Sequence, residues 1–237
     1  MEGNVRRVIA YRYKQKVRLW SGLTLSYGIN HVIASLSSLF RDKKVMMKQL
    51  SSTDFYNLNS EQLFHQYQSL SFEQVHAAWL NYLPATPGRA LDAGAGSGRD
   101  AGWLANNGWS VTAIEPSDKF RAKAIAQHGE SQIQWLSDTL PSLETLCDSE
   151  SYHLILVSAV WMHLTPAQQT QSLQRLRRLQ APGGVIVITW RNIADEQERH
   201  FHPVEMKNFE HARVYSTKDI GLRANVEWTT AVIREKP

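Results

Sequence analysis

A glycine-rich segment in the first half of the chain has the composition of a ligand-binding turn. Residues 92–98 read Asp-Ala-Gly-Ala-Gly-Ser-Gly, between an apolar run that predicts a strand over 89–93 and a pattern that predicts a helix over 99–107. Glycines at such a junction let the backbone approach a ligand closely, and the first helical turn offers unpaired N–H groups. The segment therefore predicts a ligand site at the end of this strand.

The spacing of the glycines excludes two common nucleotide sites. In the dinucleotide fingerprint G-x-G-x-x-G, counted from Gly94, the third glycine would fall at Arg99. The phosphate-binding pattern that ends in Gly-Lys-Ser/Thr is absent from the sequence. The ligand is thus neither a nicotinamide dinucleotide nor a nucleoside triphosphate held in these standard ways.

An acidic residue supplies the second chemical signal. Glu115 ends the next predicted strand, 110–115, seventeen positions after Gly98. A carboxylate at this point can accept hydrogen bonds from both hydroxyls of a ribose. The end of a buried strand is also a costly place for an unpaired carboxylate, which favours a ligand-binding role.

Strands and helices alternate through the rest of the chain. Further strands are predicted over 133–136, 153–158 and 185–190, helices over 60–70, 72–83, 117–128 and 166–180, and a turn over 181–184. The last two apolar runs, 212–217 and 226–234, have no helix between them and predict an antiparallel pair. This order predicts an α/β fold with a doubly wound, mainly parallel, seven-stranded sheet and an antiparallel C-terminal strand.

Charge divides the chain into two regions. Residues 1–48 carry ten basic and two acidic side chains, whereas residues 49–237 carry sixteen basic and twenty acidic ones. We therefore predict a basic N-terminal extension over 1–56, poorly ordered, and a catalytic domain over 57–237. The acidic body gives no electrostatic reason to bind nucleic acid. The extension could contact a membrane or a nucleic acid instead.

Two further features bear on the location of the protein. Residues 20–40 are long enough to span a bilayer, but five serines, Asn30 and His31 make them too polar to face lipid. The chain has one cysteine, Cys147, which fits a reducing compartment. We predict a cytoplasmic protein.

Five blocks of sequence together resemble the class I S-adenosylmethionine-dependent methyltransferases. The blocks are 91–101 (LDAGAGSGRDA), 111–117 (VTAIEPS), 135–143 (WLSDTLPSL), 152–164 (YHLILVSAVWMHL) and 176–191 (LRRLQAPGGVIVITWR). They occur in the order of that family, and the resemblance covers 57–237. It implies a Rossmann-like methyltransferase fold and S-adenosyl-L-methionine as the cofactor.

The resemblance also implies roles for residues at the ends of four strands. The glycine turn would line the methionine part of the cofactor, Glu115 would hold the ribose, and the segment after the third strand would face the adenine. The implied cofactor-binding residues are Asp92 near the amino group, Gly94, Ala95, Gly96, Gly98, Arg99, Glu115, Pro116, Ser137, Asp138 near the adenine amino group, Thr139, Ser158 and Ala159 near the sulfonium, and Tyr67 from an upstream helix.

Some of these residues also have purely structural interpretations. Asp138 could cap a following helix, and Asp100 could stabilise the first turn of its helix. Arg99 could reach the cofactor carboxylate, or it could pair with Glu115 or Asp100.

Methyl transfer needs an aligned acceptor and sometimes a base, and two residues after the fourth strand are candidates. His163 could take a proton from an oxygen or nitrogen acceptor, and Trp161 could face the sulfonium or form a wall of the acceptor pocket. Alternatively, Trp161 packs in the core and His163 anchors its loop. Arg191 could pair with an anionic acceptor or with Asp195 or Glu196. We predict no metal site, although Glu198, His200, His202 and Glu205 are close in sequence.

These features together predict methyl transfer to an oxygen or nitrogen atom of a small molecule. Amino-methylating DNA enzymes of this fold carry a Pro-Pro-aromatic block after the fourth strand, where this chain has Ser158-Ala159-Val160-Trp161. Two alternatives remain: an RNA or protein methyltransferase that docks through the basic extension, and a non-catalytic cofactor-binding subunit.

Overall fold

The computed structural model describes residues 51–129, 132–192, 201–221, 223 and 226–234. All of them belong to one compact unit that spans Met47–Pro237. Residues 1–50 of the predicted extension (1–56), which include the polar segment 20–40, lie outside the described residues. In the described part, no helix combines the length and the apolar character needed to cross a membrane.

Three short helices precede the sheet: α1 (Ser52–Leu58), α2 (Ser60–Gln68) and α3 (Phe72–His76). Side-chain caps start two of them, since the Ser51 hydroxyl accepts from the N–H of Asp54 and Ser71 forms a capping box with Gln74. The sequence did not predict α1. The predicted boundary between residues 56 and 57 falls within it.

The prediction of one helix over 72–83 is wrong beyond His76. After α3 the chain makes a separate 3-10 turn, Leu80–Tyr82. Trp79 has a φ of −133° and a ψ of 1°, which lie outside the helical region, so the helix does not continue through it. Its ring is buried in the core, and its indole N–H donates to His76 Nδ1 at 3.0 Å.

The sheet has seven strands in the order β3-β2-β1-β4-β5-β7-β6. The strands are β1 (Arg89–Ala93), β2 (Ser110–Ile114), β3 (Ile133–Leu136), β4 (Tyr152–Val157), β5 (Gln180–Arg191), β6 (Arg213–Lys218) and β7 (Glu227–Arg234). Strands β1 to β5 pair in parallel, and β7 runs antiparallel to both β5 and β6. The predicted fold class is confirmed.

Three helices connect the parallel strands: α4 (Arg99–Asn106), α5 (Asp118–His128) and α6 (Pro166–Arg178). The predicted turn over 181–184 is wrong as a boundary, because these residues lie within β5. The register between β4 and β5 shifts between Tyr152 and Leu154, and Gly183 has a φ of 69°. The strand therefore contains an irregularity where local sequence predicts a turn.

Apolar side chains bury both faces of the sheet. Alternate residues of β4 point to opposite sides: Ile155 and Val157 join one buried cluster, whereas Leu154 and Leu156 join the other. Strand β1 has neighbours on both sides, β2 and β4, and the chain order reverses between them. In open α/β sheets, ligands bind at the carboxyl ends of the strands at this reversal.

Candidate active site

The glycine turn after β1 has a left-handed backbone at three positions. The φ angles are 88° at Gly94, 54° at Gly96 and 76° at Gly98. A Cβ on Gly94 would lie 2.4 Å from Val160 Cγ2, so packing against the loop after β4 requires glycine there. At Gly96 the nearest atom to such a Cβ would be Tyr67 Cδ2 at 3.9 Å. Gly96 thus leaves space above the turn.

Glu115 joins the glycine turn to the start of α5. It follows β2 directly and is 7% exposed. Its Oε2 accepts from the N–H of Gly96 at 2.8 Å, and its Oε1 accepts from the N–H of Ser117 at 2.7 Å. Burial raises the pKa of Glu115, and these two backbone N–H groups oppose that rise. Pro116, half-buried, separates Glu115 from Ser117.

Asp92 lies at the base of the same turn. It is 1% exposed, and neither carboxylate oxygen has a hydrogen-bond partner among the described residues. Burial raises the pKa of Asp92 well above its usual range, the nearby charge of Asp100 adds to the rise, and Arg99 opposes it. A buried carboxylate without a partner is costly and indicates a site for a positively charged group.

Arg99 forms its ion pair with Asp100. Its Nε donates to Oδ1 at 2.7 Å and its Nη2 donates to Oδ2 at 3.0 Å. His76 Nε2 lies 3.0 Å from the same Asp100 Oδ2. Burial acts to raise the pKa of Asp100, but the interactions with His76 and Arg99 outweigh it and hold that pKa well below its usual range. Asp100 thus lies in the first turn of α4, as expected, and is buried in contact with both His76 and Arg99.

Helix α2 ends beside the glycine turn. Tyr67 lies next to Gly96, and its ring packs against Phe120 with centroids 6.1 Å apart. Gln68 Nε2 donates to the carbonyl of Ser97 at 2.8 Å. These contacts place the predicted aromatic residue Tyr67 at the turn.

The loop after β3 contains no helix for Asp138 to cap. Its Oδ1 accepts from the N–H of Thr139, and its Oδ2 accepts from the N–H and hydroxyl of Thr145, each at 2.7 Å. The Asp138 carboxylate therefore stabilises the loop to which it belongs. Adenine contacts by Ser137, Asp138 and Thr139 stay predictions.

The loop after β4 begins with a left-handed residue that is not glycine. Ala159 has a φ of 58°, and its N–H donates to the Thr189 hydroxyl at 2.9 Å. Ser158 precedes it, half-buried, at the carboxyl end of the strand. The structure thus places both residues at the edge of the sheet that carries the glycine turn.

Trp161 and His163 occupy one 3-10 turn, Trp161–His163, but have different surroundings. Trp161 is fully buried, and its ring packs against Phe209 with centroids 5.9 Å apart. The Tyr56 Oη lies 3.3 Å from His163 Nε2, and Phe201 packs edge-on against the imidazole at 5.0 Å. The core-packing interpretation describes Trp161, whereas His163 lies among aromatic rings.

Arg191 extends this group of residues. Its guanidinium carbon lies 4.8 Å from the centre of the Phe201 ring. We call Tyr56, His163, Phe201 and Arg191 the acceptor-side cluster. The sequence did not predict Tyr56 or Phe201, because a contact between residues 56 and 163 leaves no local pattern. Asp195, Glu196, Glu198 and His200 lie outside the described residues.

Most of this chain matches a known protein family. Residues 33–225 match the model of a family described as a methyltransferase domain. The chain belongs to this methyltransferase family. The predicted class I S-adenosylmethionine-dependent family is thereby confirmed, together with S-adenosylmethionine as its cofactor.

Curated relatives agree with this assignment. Methyltransferases of uncharacterised activity from Mycobacterium tuberculosis and Mycobacterium bovis are 31% identical over 126 residues. The match covers 50% of this chain and 45% of each relative. The aligned part is therefore less than half of those proteins.

Solved structures share the fold. The N-methyltransferase NodS from Bradyrhizobium japonicum has a TM-score of 0.54 at 19% identity, covering 73% of this chain and 97% of NodS. The 1,6-didemethyltoxoflavin-N1-methyltransferase from Burkholderia thailandensis, solved with bound 1,6-didemethyltoxoflavin and S-adenosylhomocysteine, has a TM-score of 0.55 at 19% identity. That match covers 79% of this chain and 92% of the neighbour.

The glycine turn of this methyltransferase family member fits the family's cofactor. Asp92 offers two buried oxygens without partners to a cation, and S-adenosylmethionine carries an ammonium and a sulfonium. Gly96 leaves space beside Tyr67, and Glu115 lies at the edge of that space. The two carboxylates and the space beside Tyr67 therefore suit an adenosyl amino acid with two positive groups.

Proposed function

We propose that this chain transfers a methyl group from S-adenosylmethionine to a nitrogen or oxygen atom of a small-molecule acceptor. The observation that carries the proposal is the buried carboxylate of Glu115, which bridges Gly96 and Ser117 where the strand order reverses. Membership of the methyltransferase family and neighbours solved with S-adenosylhomocysteine support it.

The cofactor supplies an activated methyl group on its sulfonium, so the protein has mainly to bind, orient and exclude water. Glu115 would accept hydrogen bonds from the ribose hydroxyls. Asp92 would pair with the ammonium group and so gain the partner that it lacks. Tyr67 would cover the turn beside Gly96.

The acceptor-side cluster would handle the acceptor. An acceptor N–H or O–H group loses its proton when it is methylated, and His163 can accept that proton. The Tyr56 hydroxyl, 3.3 Å from Nε2, would orient the imidazole. The Tyr56 and Phe201 rings both pack edge-on against the imidazole, with centroids 5.9 and 5.0 Å away, and such aromatic surroundings favour a small acceptor over a polymer.

Calorimetry tests the proposed binding of S-adenosylmethionine. We expect the wild type to bind S-adenosylmethionine and S-adenosylhomocysteine, and not NAD or ATP. Glu115→Ala should weaken both by at least about 10- to 100-fold, because the loss of even one hydrogen bond to a charged group costs about 1.5–3 kcal/mol. Glu150→Ala, which removes a carboxylate that contacts Arg89 and Tyr152, is the matched control and should bind normally. A folded wild type that binds neither compound would contradict the proposal.

Steady-state kinetics tests the proposed roles of His163 and Tyr56. The assay requires an acceptor, which a screen for S-adenosylhomocysteine release would identify. His163→Asn should lower kcat by about 100-fold, a usual contribution of a general base, with cofactor affinity unchanged. Tyr56→Phe should lower kcat by a smaller factor, because it removes only the orienting hydroxyl. An unchanged kcat in His163→Asn would exclude the base role.

A further inference from the structure

Two polar side chains meet beside the glycine turn, one from the end of α2 and one from the end of α5. Gln68 Nε2 donates to the carbonyl of Ser97 at 2.8 Å, and the same nitrogen lies 3.0 Å from His128 Nε2. A carbonyl oxygen can only accept, so the Gln68 atom that faces Ser97 is the amide nitrogen. Because an amide nitrogen can only donate, His128 Nε2 must be the acceptor, which requires a neutral imidazole.

The imidazole of His128 packs directly against the start of α4. A Cβ on Gly98 would lie 2.9 Å from His128 Cδ2, and a Cβ on Gly102 would lie 2.3 Å from Nδ1. Glycine at both positions is therefore needed to admit the ring. With Gln68 on its other nitrogen, the half-buried imidazole has a defined position between α2 and α4.

The surroundings of His128 favour the neutral ring. Burial lowers the pKa of His128, and the Ser97 carbonyl opposes this fall because it can accept from a protonated ring. The groups that contact the ring from α2 and α4 are an amide and two glycines, and no charged side chain of the described residues contributes to the pKa shift. Glu130 lies outside the described residues. The ring is thus neutral at pH 7 and becomes charged under mildly acidic conditions.

Protonation of His128 would break the bond between Gln68 and the glycine turn. An imidazolium and an amide nitrogen are both donors and cannot bond to each other. The imidazolium would take the Ser97 carbonyl in place of Gln68, or it would bond to the Gln68 oxygen after the amide rotates. Either change costs Gln68 its bond to Ser97. Gln68 is the last residue of α2, and Tyr67 precedes it beside Gly96, so the helix end that covers the turn would lose this attachment.

We propose that Gln68 and His128 are positioning residues of the cofactor site, and that S-adenosylmethionine binds preferentially when His128 is neutral. The inference rests on the proposed binding of S-adenosylmethionine. Neutral His128 keeps Gln68 on the Ser97 carbonyl, and Tyr67 then covers the space beside Gly96. Affinity should therefore fall as His128 becomes protonated. Because coupling is reciprocal, the bound ligand should in turn make His128 harder to protonate.

Calorimetry with S-adenosylhomocysteine from pH 8 to pH 5 tests the inference. His128→Gln places an uncharged acceptor close to the position of Nε2, so its bond to Gln68 does not depend on pH. Asp92 also titrates, but in both proteins, so the informative quantity is the ratio of the wild-type Kd to the Kd of the variant. That ratio should rise by about 3- to 10-fold toward pH 5, which corresponds to the loss of one hydrogen bond.

Two further variants locate the effect. Gln68→Leu removes the bonds to both Ser97 and His128. At pH 8 it should bind S-adenosylhomocysteine about 3- to 10-fold more weakly than the wild type, and its Kd should show no further rise from His128 toward pH 5. His65→Gln is the matched control, because it removes an exposed histidine from the same helix as Gln68, and it should keep the wild-type pH dependence.

Proton NMR of the wild type measures the reciprocal effect. The Cε1 proton of His128, identified by its absence from the spectrum of His128→Gln, reports the protonation of the ring. Saturating S-adenosylhomocysteine should raise the acid dissociation constant of His128 by the same factor of about 3 to 10. A contact that only stabilises the fold would leave this constant unchanged.

The outcomes distinguish this inference from the proposed function. A Kd ratio that does not change with pH, or a titration of His128 that the ligand leaves unchanged, would overturn the inference, whereas cofactor binding would stand. If the folded wild type binds S-adenosylhomocysteine at no pH in this range, the proposed function itself fails. Thermal unfolding at each pH shows whether each protein is folded at the assay temperature.

Discussion

Asp92 is the residue at which binding and stability conflict. Its carboxylate is buried without a partner in the described structure, and burial raises its pKa. In the unfolded chain an aspartate has a pKa of about 3.9. The folded state therefore holds more protons than the unfolded state above this value, so the contribution of Asp92 to stability falls as pH rises.

Replacing Asp92 with asparagine should therefore stabilise the ligand-free protein at neutral pH. We expect a gain of about 1–3 kcal/mol at pH 7, the cost of a buried unsatisfied group, and a smaller gain at pH 4. The same variant should bind S-adenosylhomocysteine more weakly. Urea unfolding at pH 4 to 8 measures the gain, with Asp118→Asn as an exposed control. A gain that is independent of pH would show that ionisation is not the cause.

Local sequence predicts some site residues and misses others for a physical reason. Gly94, Gly96 and Glu115 could be predicted because a strand, a tight turn and an acidic strand end are encoded by adjacent residues. The contact between His76 and Asp100 joins residues 24 positions apart, and that between Tyr56 and His163 joins residues 107 positions apart. Such contacts depend on how helices and strands pack together, and the sequence of a single segment does not determine that packing.

At the scale of elements, α4 packs closely on the end of α5. A Cβ on Gly102 would lie 2.3 Å from His128 Nδ1, and His128 Nε2 is 3.0 Å from Gln68 Nε2. The ring cannot move away from α4 without losing its contact with Gln68. Burial lowers the pKa of His128, so protonation below its unfolded-state value of about 6.5 disfavours the folded state. Stability from this contact is therefore present at neutral pH and is lost as pH falls.

This contact should reverse the usual effect of glycine-to-alanine substitution in a helix. Alanine normally stabilises a helix interior by about 1 kcal/mol relative to glycine. Gly102→Ala should instead destabilise the protein by about 1–3 kcal/mol, because the added methyl overpacks against His128. The double variant Gly102→Ala/His128→Ala should recover part of this loss, and Asn106→Ala in the same helix is the control. Chemical denaturation measures these proteins and the single variant His128→Ala, and additive effects of the two single substitutions would contradict the contact.

Element boundaries show the same limit of local reasoning. Short apolar runs predicted the five parallel strands, because burial on both faces leaves nearly continuous apolar sequence. The run over 181–184 looks like a turn, since Pro182 is followed by Gly183 and Gly184. In the structure, pairing with β4 continues on both sides of it. Residues 181–184 themselves have no partners in that pairing, and Gly183 has a φ of 69°. The turn that local sequence predicts is therefore present, but as an irregularity within one strand rather than as a boundary.

For the whole molecule, the site depends on helices that precede the sheet. Asn57 in α1 accepts from the Ser117 hydroxyl at 2.7 Å, next to Glu115. Gln68 in α2 donates to Ser97 within the glycine turn. A ligand that binds the turn should therefore stabilise the attachment of both helices as well as the turn itself.

Ligand binding should accordingly raise global and local stability together. At 100 times its Kd, S-adenosylhomocysteine should add about 2.7 kcal/mol, which corresponds to a rise in Tm of about 5–11 °C for a domain of this size. Amide exchange should slow in residues 52–68 as well as in 92–98, because Asn57 and Gln68 connect these segments. NAD at the same concentration should change neither quantity. If exchange slows only in residues 92–98, ligand binding stabilises the turn without stabilising α1 and α2. The hydrogen bonds of Asn57 and Gln68 would then not couple these helices to the turn.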